Sequence, residues 1–104
     1  MKDLLNEVNA LTLKEYERAA EKYGEVNNSS HESYAIILEE FEECLEMIEL
    51  ARQALHNYWQ AVKENEPLCQ HTSLKELRGC AEHAATEMIQ VAAMCHKALK
   101  GEKP

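Results

Sequence analysis

Hydrophobic side chains recur every three to four residues along most of this chain, with two interruptions. The first segment covers residues 2–24 and ends at a glycine, Gly24. A Thr-Leu-Lys-Glu run that begins at Thr12 also fits a capping box, so this segment forms either one helix or two. Residues 27–30 (Asn-Asn-Ser-Ser) make the first interruption. The pattern predicts three helical segments, of which the last ends near Gly101.

Capping-box patterns indicate where the second and third helices begin. Ser29 precedes Glu32 by three residues, and Ser73 precedes Glu76 by the same spacing. In such a box the serine hydroxyl accepts a hydrogen bond from a backbone N–H in the first turn. We therefore predict a second helix that begins at Ser29 and a third that begins at Ser73, with a proline-containing break over residues 65–72 between them.

The composition agrees with a helical chain. The 104 residues, of which 45% are hydrophobic, suffice for one domain with one modest core, so residues 1–104 are predicted to form a single domain. Three glycines and two prolines are too few for an all-β fold, which needs frequent turns. The predicted fold class is all-α, a three-helix antiparallel bundle.

The charge balance restricts the possible partners. Eleven Lys and Arg against nineteen Asp and Glu give a net charge of −8, which disfavours binding of nucleic acid polymers. A phosphorylated small molecule can still bind if metal ions bridge the like charges. The chain has no apolar run long enough to span a membrane, and its first residues, Met1-Lys2-Asp3, lack the apolar region expected of a signal peptide. We expect a soluble protein in the cytoplasm.

Two separate apolar strips follow the second helix at an advance of about 100° per residue. The presence of both strips implies that this helix is covered on two sides, and a partner subunit is a natural cover. The main apolar stripe consists of Tyr34, Ile37, Phe41, Leu45, Ile48, Leu55 and Trp59. The second strip consists of Ile36, Glu40, Glu43, Met47, Leu50, Ala54 and Ala61.

Two glutamates in the second strip are unusual, because an unpaired charge on an apolar surface is costly. Glu40 and Glu43 either reach water or a lysine at the edge of the strip, or bind a cation. The third helix has a similar pair, Glu87 and Gln90, also three residues apart. Antiparallel packing of the two helices would bring these four side chains together. Clusters of oxygen ligands suit Mg²⁺ or Mn²⁺, and these ions in turn suit phosphate substrates.

The cysteines leave one alternative open. In a reducing compartment the four cysteines are expected to be free thiols that pack as small apolar residues. The alternative is a zinc site, although no Cys-x-x-Cys pair supports it. The side chains that such a site would use are Cys69, His71, Cys80 and His83.

Two acidic motifs give the chain a family resemblance. The run from His31 to Glu43 contains Glu39-Glu40-Phe-Glu-Glu43, an EExxE motif, and Glu87-Met-Ile-Gln90 follows on the third helix. Over about residues 12–100 this arrangement resembles the MazG-like branch of the all-α nucleotide pyrophosphohydrolases, which carry EExxE on one helix and ExxD on a later one. In this chain Gln90 replaces the aspartate of the second motif.

The resemblance implies a function and a set of roles. Metal ligation falls to Glu40, Glu43, Glu87 and Gln90, and catalytic roles to Glu39 and Glu43. The implied reaction is Mg²⁺-dependent cleavage of a nucleoside triphosphate to a monophosphate and pyrophosphate, in a homodimer or homotetramer. Basic residues of the third helix are candidates for phosphate contacts, although a purely solvated role suffices for each. These residues are Lys75, Arg78, Lys97 and Lys100.

Gln90 also supports an alternative from a different class. A neutral amide can coordinate Mg²⁺, but it removes one negative charge and cannot act as a base. The alternative is a non-catalytic helical module that retains the bundle for oligomerisation, interaction or regulation.

Overall fold

The computed structural model describes residues 2–102, which are helical apart from two connections and the last described residue, Glu102. Helix α1 covers Lys2–Tyr23, helix α2 covers Ser30–Lys63 and helix α3 covers Pro67–Gly101. No strand occurs in the described part of the chain, so the all-α prediction is confirmed. Within residues 2–102, no helix combines the length and the apolar composition that crossing a membrane requires.

Helix α1 is one continuous helix. The hydroxyl of Thr12 donates a hydrogen bond of 3.0 Å to the carbonyl of Val8, one turn earlier, as an interior helical residue does. Thr12 therefore does not cap a second helix. The helix ends before Gly24, whose backbone has a φ of 98° and whose N–H donates to the carbonyl of Ala20 at 2.8 Å. Glycine is favoured here because a side chain would strain this left-handed conformation.

Helix α2 begins where its capping box predicts. The backbone N–H of Glu32 donates to the hydroxyl of Ser29 at 3.1 Å, so Ser29 is the N-cap. At the other end, Asn65 has a φ of 55° and its N–H donates to the carbonyl of Val62 at 3.2 Å. The N–H of Glu66 donates to Ala61 at 3.0 Å. This pair of bonds is a Schellman motif with asparagine in the left-handed position, and it ends the helix.

Helix α3 begins six residues before the predicted position, so the prediction of a start at Ser73 is wrong. The helix begins at Pro67, and the N–H of Gln70 donates to the carbonyl of Glu66 at 2.9 Å. Proline suits the first helical position because its φ is already helical and no N–H is required there. Ser73 lies inside the helix, is 7% exposed and caps nothing. The break therefore covers residues 64–66 rather than 65–72.

The chain divides into two compact units. The first contains the residues up to Glu42 together with those from Glu87 onward, and the second contains residues 43–86. Each unit has its own buried residues. In the first unit these are Tyr16, Ala19, Val91, Ala93 and Lys97, and in the second Cys44, Ala54, Ala61 and Ser73.

The main apolar stripe is largely uncovered within the chain. Six of its seven residues are exposed, among them Tyr34 at 67% and Trp59 at 55%. The second strip is partly covered instead, since it contributes the buried residues Ala54 and Ala61. The other exposed residues of the main apolar stripe are Phe41, Leu45, Ile48 and Leu55.

Candidate metal site and ligand cleft

The first unit brings together three of the predicted metal ligands. Glu87 and Gln90 lie one turn apart on α3, and the terminal amide of Gln90 approaches Glu40 of α2. The amide lies 3.1 Å from Oε2 of Glu40 and 3.1 Å from Oε2 of Glu87. If its nitrogen faces the two carboxylates, it donates a hydrogen bond to each. If its oxygen faces them, three oxygen atoms converge. The two ends of an amide have nearly the same shape, but only the first orientation gives both ends of the Gln90 amide suitable hydrogen-bond partners.

Glu43 adds a third carboxylate. It follows Glu40 by one turn of α2, which runs without interruption past both residues. One carboxylate oxygen from each of Glu40, Glu43 and Glu87 lies within 4.8 Å of the others. Glu40 and Glu87 are half-buried and Glu43 is exposed. The structure thus brings together the three glutamates in which the sequence predicts metal ligands.

The chemistry of this donor set fits a hard divalent cation. Carboxylate oxygens and an amide oxygen are ligands that Mg²⁺ and Mn²⁺ accept, whereas a structural zinc site favours thiolate and imidazole. Among residues 2–102, no other group of three or more acidic, histidine or cysteine side chains lies close enough to share an ion. The zinc alternative is therefore not supported by the described residues. The side chains it would require are Cys69, His71, Cys80 and His83.

A cleft of about 430 Å³ lies in the first unit, and Glu40 and Gln90 are part of its wall. All three helices contribute to it. Basic side chains come from α1, through Arg18, and from α3, through Lys97. The remaining lining residues are Glu15, Ala19, Tyr23, Glu32, Ile36 and Met94.

Lys97 differs from the other basic residues that the sequence offers on α3. It is 5% exposed, whereas Lys75, Arg78 and Lys100 are exposed. Among residues 2–102 it forms no ion pair. A solvated role is therefore wrong for Lys97. The sequence could have predicted this position, because Lys97 follows Gln90 by seven residues and so lies on the same face of the helix.

Arg18 and Glu15 form an ion pair at the cleft, and this pair was not predicted from the sequence. The guanidinium Nε of Arg18 donates to Oε2 of Glu15 at 3.0 Å, and a second N–H donates to Oε1. This hydrogen bonding lowers the pKa of Glu15, opposed in part by burial, and the amide of Gln90 adds a smaller lowering. It also raises the pKa of Arg18. The i, i+3 spacing indicates such a pair, but not that it faces a cleft.

Glu39 lies apart from this arrangement. It is exposed, and it belongs neither to the group of three carboxylates nor to the lining of the cleft. Adjacent helical residues point about 100° apart, so Glu39 and Glu40 face different directions. The catalytic role that the family resemblance implies for Glu39 stays a prediction.

Comparisons with protein-family models, with curated proteins and with solved structures give no match to this chain. The residues of the cleft are therefore the basis for a functional proposal.

Proposed function

We propose that this chain is a Mg²⁺-dependent nucleoside triphosphate pyrophosphohydrolase of the MazG-like type, acting in the cytoplasm. The observation that carries the proposal is that the same cleft is lined by the oxygen ligands Glu40 and Gln90 and by the basic residues Arg18 and Lys97. A site for a nucleotide with its metal ion needs both oxygen ligands for the metal and basic residues for the phosphates. The substrate is a nucleoside triphosphate, and the products are a nucleoside monophosphate and pyrophosphate.

The metal would be held by Glu40, Glu87 and Gln90, with Glu43 beside them. Mn²⁺ is an alternative, because it accepts the same oxygen ligands. When bound, the ion supplies positive charge that offsets the charge of the triphosphate and polarises its phosphoryl groups. The net charge of −8 makes such an ion necessary, because the bare cleft repels a polyanion.

Lys97 and Arg18 would contact the phosphates. The Lys97 side chain is almost entirely buried, so its ammonium group is restricted in position. Arg18 is bound to Glu15, and a guanidinium retains further N–H donors after such a pairing. Two cationic groups from different helices can hold successive phosphates, which fixes the orientation of the chain of phosphates in the cleft.

The nucleoside would pack on the apolar part of the same cleft. Tyr23, Ile36 and Met94 line it, and Tyr23 is 68% exposed, so its ring is accessible to a base. Stacking on an aromatic ring tolerates every base. The volume of about 430 Å³ lies within the range of small-molecule sites.

The proposal includes assembly as a homodimer or homotetramer. The main apolar stripe is exposed over most of its length, and exposed apolar surface of this extent is typical of interfaces. A second copy of the chain would cover it and account for the two apolar strips of α2.

A second candidate function is a non-catalytic interaction module. The orientation of Gln90 favours it, because the amide nitrogen can donate to Glu40 and Glu87 together at 3.1 Å each. In that arrangement the carboxylates are hydrogen-bonded without a cation. Such a protein would keep the helices and the apolar stripe, and would not turn over nucleotides.

Calorimetric titration with Mn²⁺ and Mg²⁺, together with an assay for pyrophosphate release, tests the proposal. Glu40→Gln should weaken metal binding by at least about tenfold and abolish pyrophosphate release. Glu46→Gln is the matched control, because Glu46 is an exposed glutamate on the same helix, outside the cleft. It should leave both unchanged. Absence of metal binding by the unaltered chain would support the interaction module instead.

A further inference from the structure

We propose that Glu32 recognises the base of the nucleotide, and that its carboxylate makes guanine nucleoside triphosphates the preferred substrates. The inference rests on the proposed function and names the substrate class of the same cleft. Glu32 belongs to neither acidic motif. It lies in the first turn of α2 and lines the cleft together with Tyr23 and Ile36.

Helices α2 and α3 are antiparallel in the first unit, and this gives the cleft two different ends. Gln90 of α3 lies beside Glu40 of α2, whereas the end of α3 lies beside the residues that precede α2. A side-chain Cβ at Gly101 would lie 3.5 Å from Cβ of Val26. One end of the cleft therefore holds the proposed metal ligands, and the other end lies near the start of α2.

Glu32 lies at the end away from the metal ligands. Glu32, Ile36 and Glu40 follow one another at intervals of four residues on α2, and all three line the cleft. Because each helical residue rises by about 1.5 Å, Glu32 is roughly 12 Å from Glu40 along the helix axis. Tyr23 ends α1 and is joined to α2 by the short connection 24–29. In a nucleotide whose phosphates lie beside the metal, the part furthest from the metal is the base.

The side chain of Glu32 has no partner within the part of the chain that the structure describes. The backbone N–H of Glu32 donates to the hydroxyl of Ser29, but its carboxylate has neither a hydrogen bond nor an ion pair there. Glu32 is half-buried, so this carboxylate loses part of its hydration without compensation. A glutamate in the first turn suits the helix dipole, but the dipole does not require it to line a cleft.

A carboxylate accepts hydrogen bonds and donates none, so it selects a base by the donors on its edge. Guanine presents two adjacent donors, the ring N1–H and the 2-amino group, and these match the two oxygens of a carboxylate. Adenine and cytosine present one amino donor beside a ring nitrogen that accepts. Uracil and thymine present one N–H between two carbonyl oxygens. A few polar groups in a largely apolar pocket commonly supply such specificity, and Glu32 is a polar group beside Ile36 and Met94.

Kinetics of pyrophosphate release with Mg²⁺ in the full chain test the proposal. The probe is inosine triphosphate, which keeps the N1–H of GTP and lacks the 2-amino group. In the unaltered chain kcat/KM should be about 10- to 100-fold higher for GTP than for inosine triphosphate, the effect of one hydrogen bond to a charged group. It should also be higher for GTP than for ATP, CTP or UTP.

Glu32→Gln should remove most of the difference between GTP and inosine triphosphate. The ratio of the two values is the readout, because a loss of folded protein lowers both equally. Glu46→Gln, at an exposed position of α2 outside the cleft, should keep the ratio of the unaltered chain. An unchanged ratio in Glu32→Gln would overturn the proposal.

Deoxyguanosine triphosphate distinguishes the base from the sugar as the group that Glu32 contacts. If Glu32 contacts the base, Glu32→Gln should lower kcat/KM for GTP and for dGTP by the same factor. A loss confined to GTP would mean that Glu32 contacts the 2′-hydroxyl, and recognition of guanine would then be wrong.

The outcomes also separate this inference from the proposed function. Equal kcat/KM for all the nucleotides in the unaltered chain would overturn the guanine preference and leave the proposed function standing. If the unaltered chain releases no pyrophosphate, calorimetry with Mg²⁺ and GTP or inosine triphosphate decides. A tighter binding of GTP that Glu32→Gln removes would support recognition of guanine without cleavage, and the absence of any such preference would mean that both are wrong.

Discussion

Lys97 lies two helical turns after Gln90 on the same face of α3, and both residues line one cleft. Lysine is rarely buried without a partner, yet Lys97 is 5% exposed and forms no ion pair among residues 2–102. A buried lysine in the wall of a cleft is costly unless an anion binds there. Lys97 would therefore contact the phosphates of the proposed substrate beside the residues that would hold the metal.

Lys97→Met should separate binding from folding. Methionine keeps most of the length and apolar surface of the stem and removes the charge, so we expect an unchanged or higher melting temperature. A charge-assisted hydrogen bond contributes about 1.5–3 kcal/mol, so the affinity for a non-hydrolysable nucleoside triphosphate with Mg²⁺ should fall by about 10- to 100-fold. Lys75→Met, at an exposed position of α3, should change neither quantity. Equal affinity of the two variants would remove Lys97 from the site.

Gln90→Glu should make the stability of the chain depend on the metal. Glutamate has the same shape as glutamine, but it cannot donate to Glu40 and Glu87 and it adds a like charge beside them. In a chelator the free energy of unfolding should fall by about 1–3 kcal/mol. Mg²⁺ should restore it, because the extra carboxylate is a further hard ligand. Denaturant titrations with and without Mg²⁺ measure both values.

Asn57→Asp is the control for Gln90→Glu, since it adds the same charge at an exposed position of α2. Its stability should respond to Mg²⁺ no more than that of the unaltered chain. If Gln90→Glu is destabilised and gains nothing from Mg²⁺, the interaction module becomes the better reading of the site.

The pair of Glu15 and Arg18 predicts a dependence of stability on pH. The hydrogen bond from Arg18 lowers the pKa of Glu15 below its ordinary value of 4.5. The pair therefore contributes its full stabilisation above pH 4.5, and this contribution is lost as the pH falls through the lowered pKa. Melting temperatures of Glu15→Gln and the unaltered chain should differ at pH 7 and converge toward pH 3. A difference that persists unchanged at pH 3 would mean that the carboxylate charge of Glu15 does not stabilise the fold.

The two capping boxes illustrate what the sequence can predict about helix ends. Ser29 and Ser73 have the same Ser-x-x-Glu spacing, yet only Ser29 is a cap. The difference lies upstream. Asn65 ends α2 in a Schellman motif, and Pro67 starts α3 at once, so the chain is already helical when it reaches Ser73. A capping box is read correctly only if the preceding residues do not themselves start a helix.

Alanine substitutions at the two serines should therefore differ. Ser29→Ala should lower the free energy of unfolding by about 1 kcal/mol, because it removes the acceptor for the N–H of Glu32. Ser73→Ala should be neutral or stabilise by a few tenths of a kcal/mol, because alanine is the better interior helix former. Urea denaturation of both variants measures the difference. A loss of about 1 kcal/mol at Ser73 would contradict a helix that begins at Pro67.

Some residues of the candidate site could also be predicted from the sequence, and others could not. Helical spacing predicts two pairs, because it places the members of each on one helix face: Glu40 with Glu43, and Glu87 with Gln90. Arg18 could not be found in this way. Its orientation toward the cleft depends on how α1 packs in the first unit, which no spacing within α1 determines.

The main apolar stripe gives the last prediction. Ile48 is 48% exposed and lies in the middle of the stripe, and a contiguous exposed apolar patch of this kind marks an interaction surface. If a second copy covers the stripe, the unaltered chain should sediment as a dimer or tetramer of the 11.9 kDa protomer. Ile48→Glu should dissociate it, because the interface would then bury an unpaired carboxylate. Leu68→Glu is the control, since Leu68 is 82% exposed but lies on α3, outside the stripe. Sedimentation of the unaltered chain as a well-folded monomer would contradict assembly through the stripe.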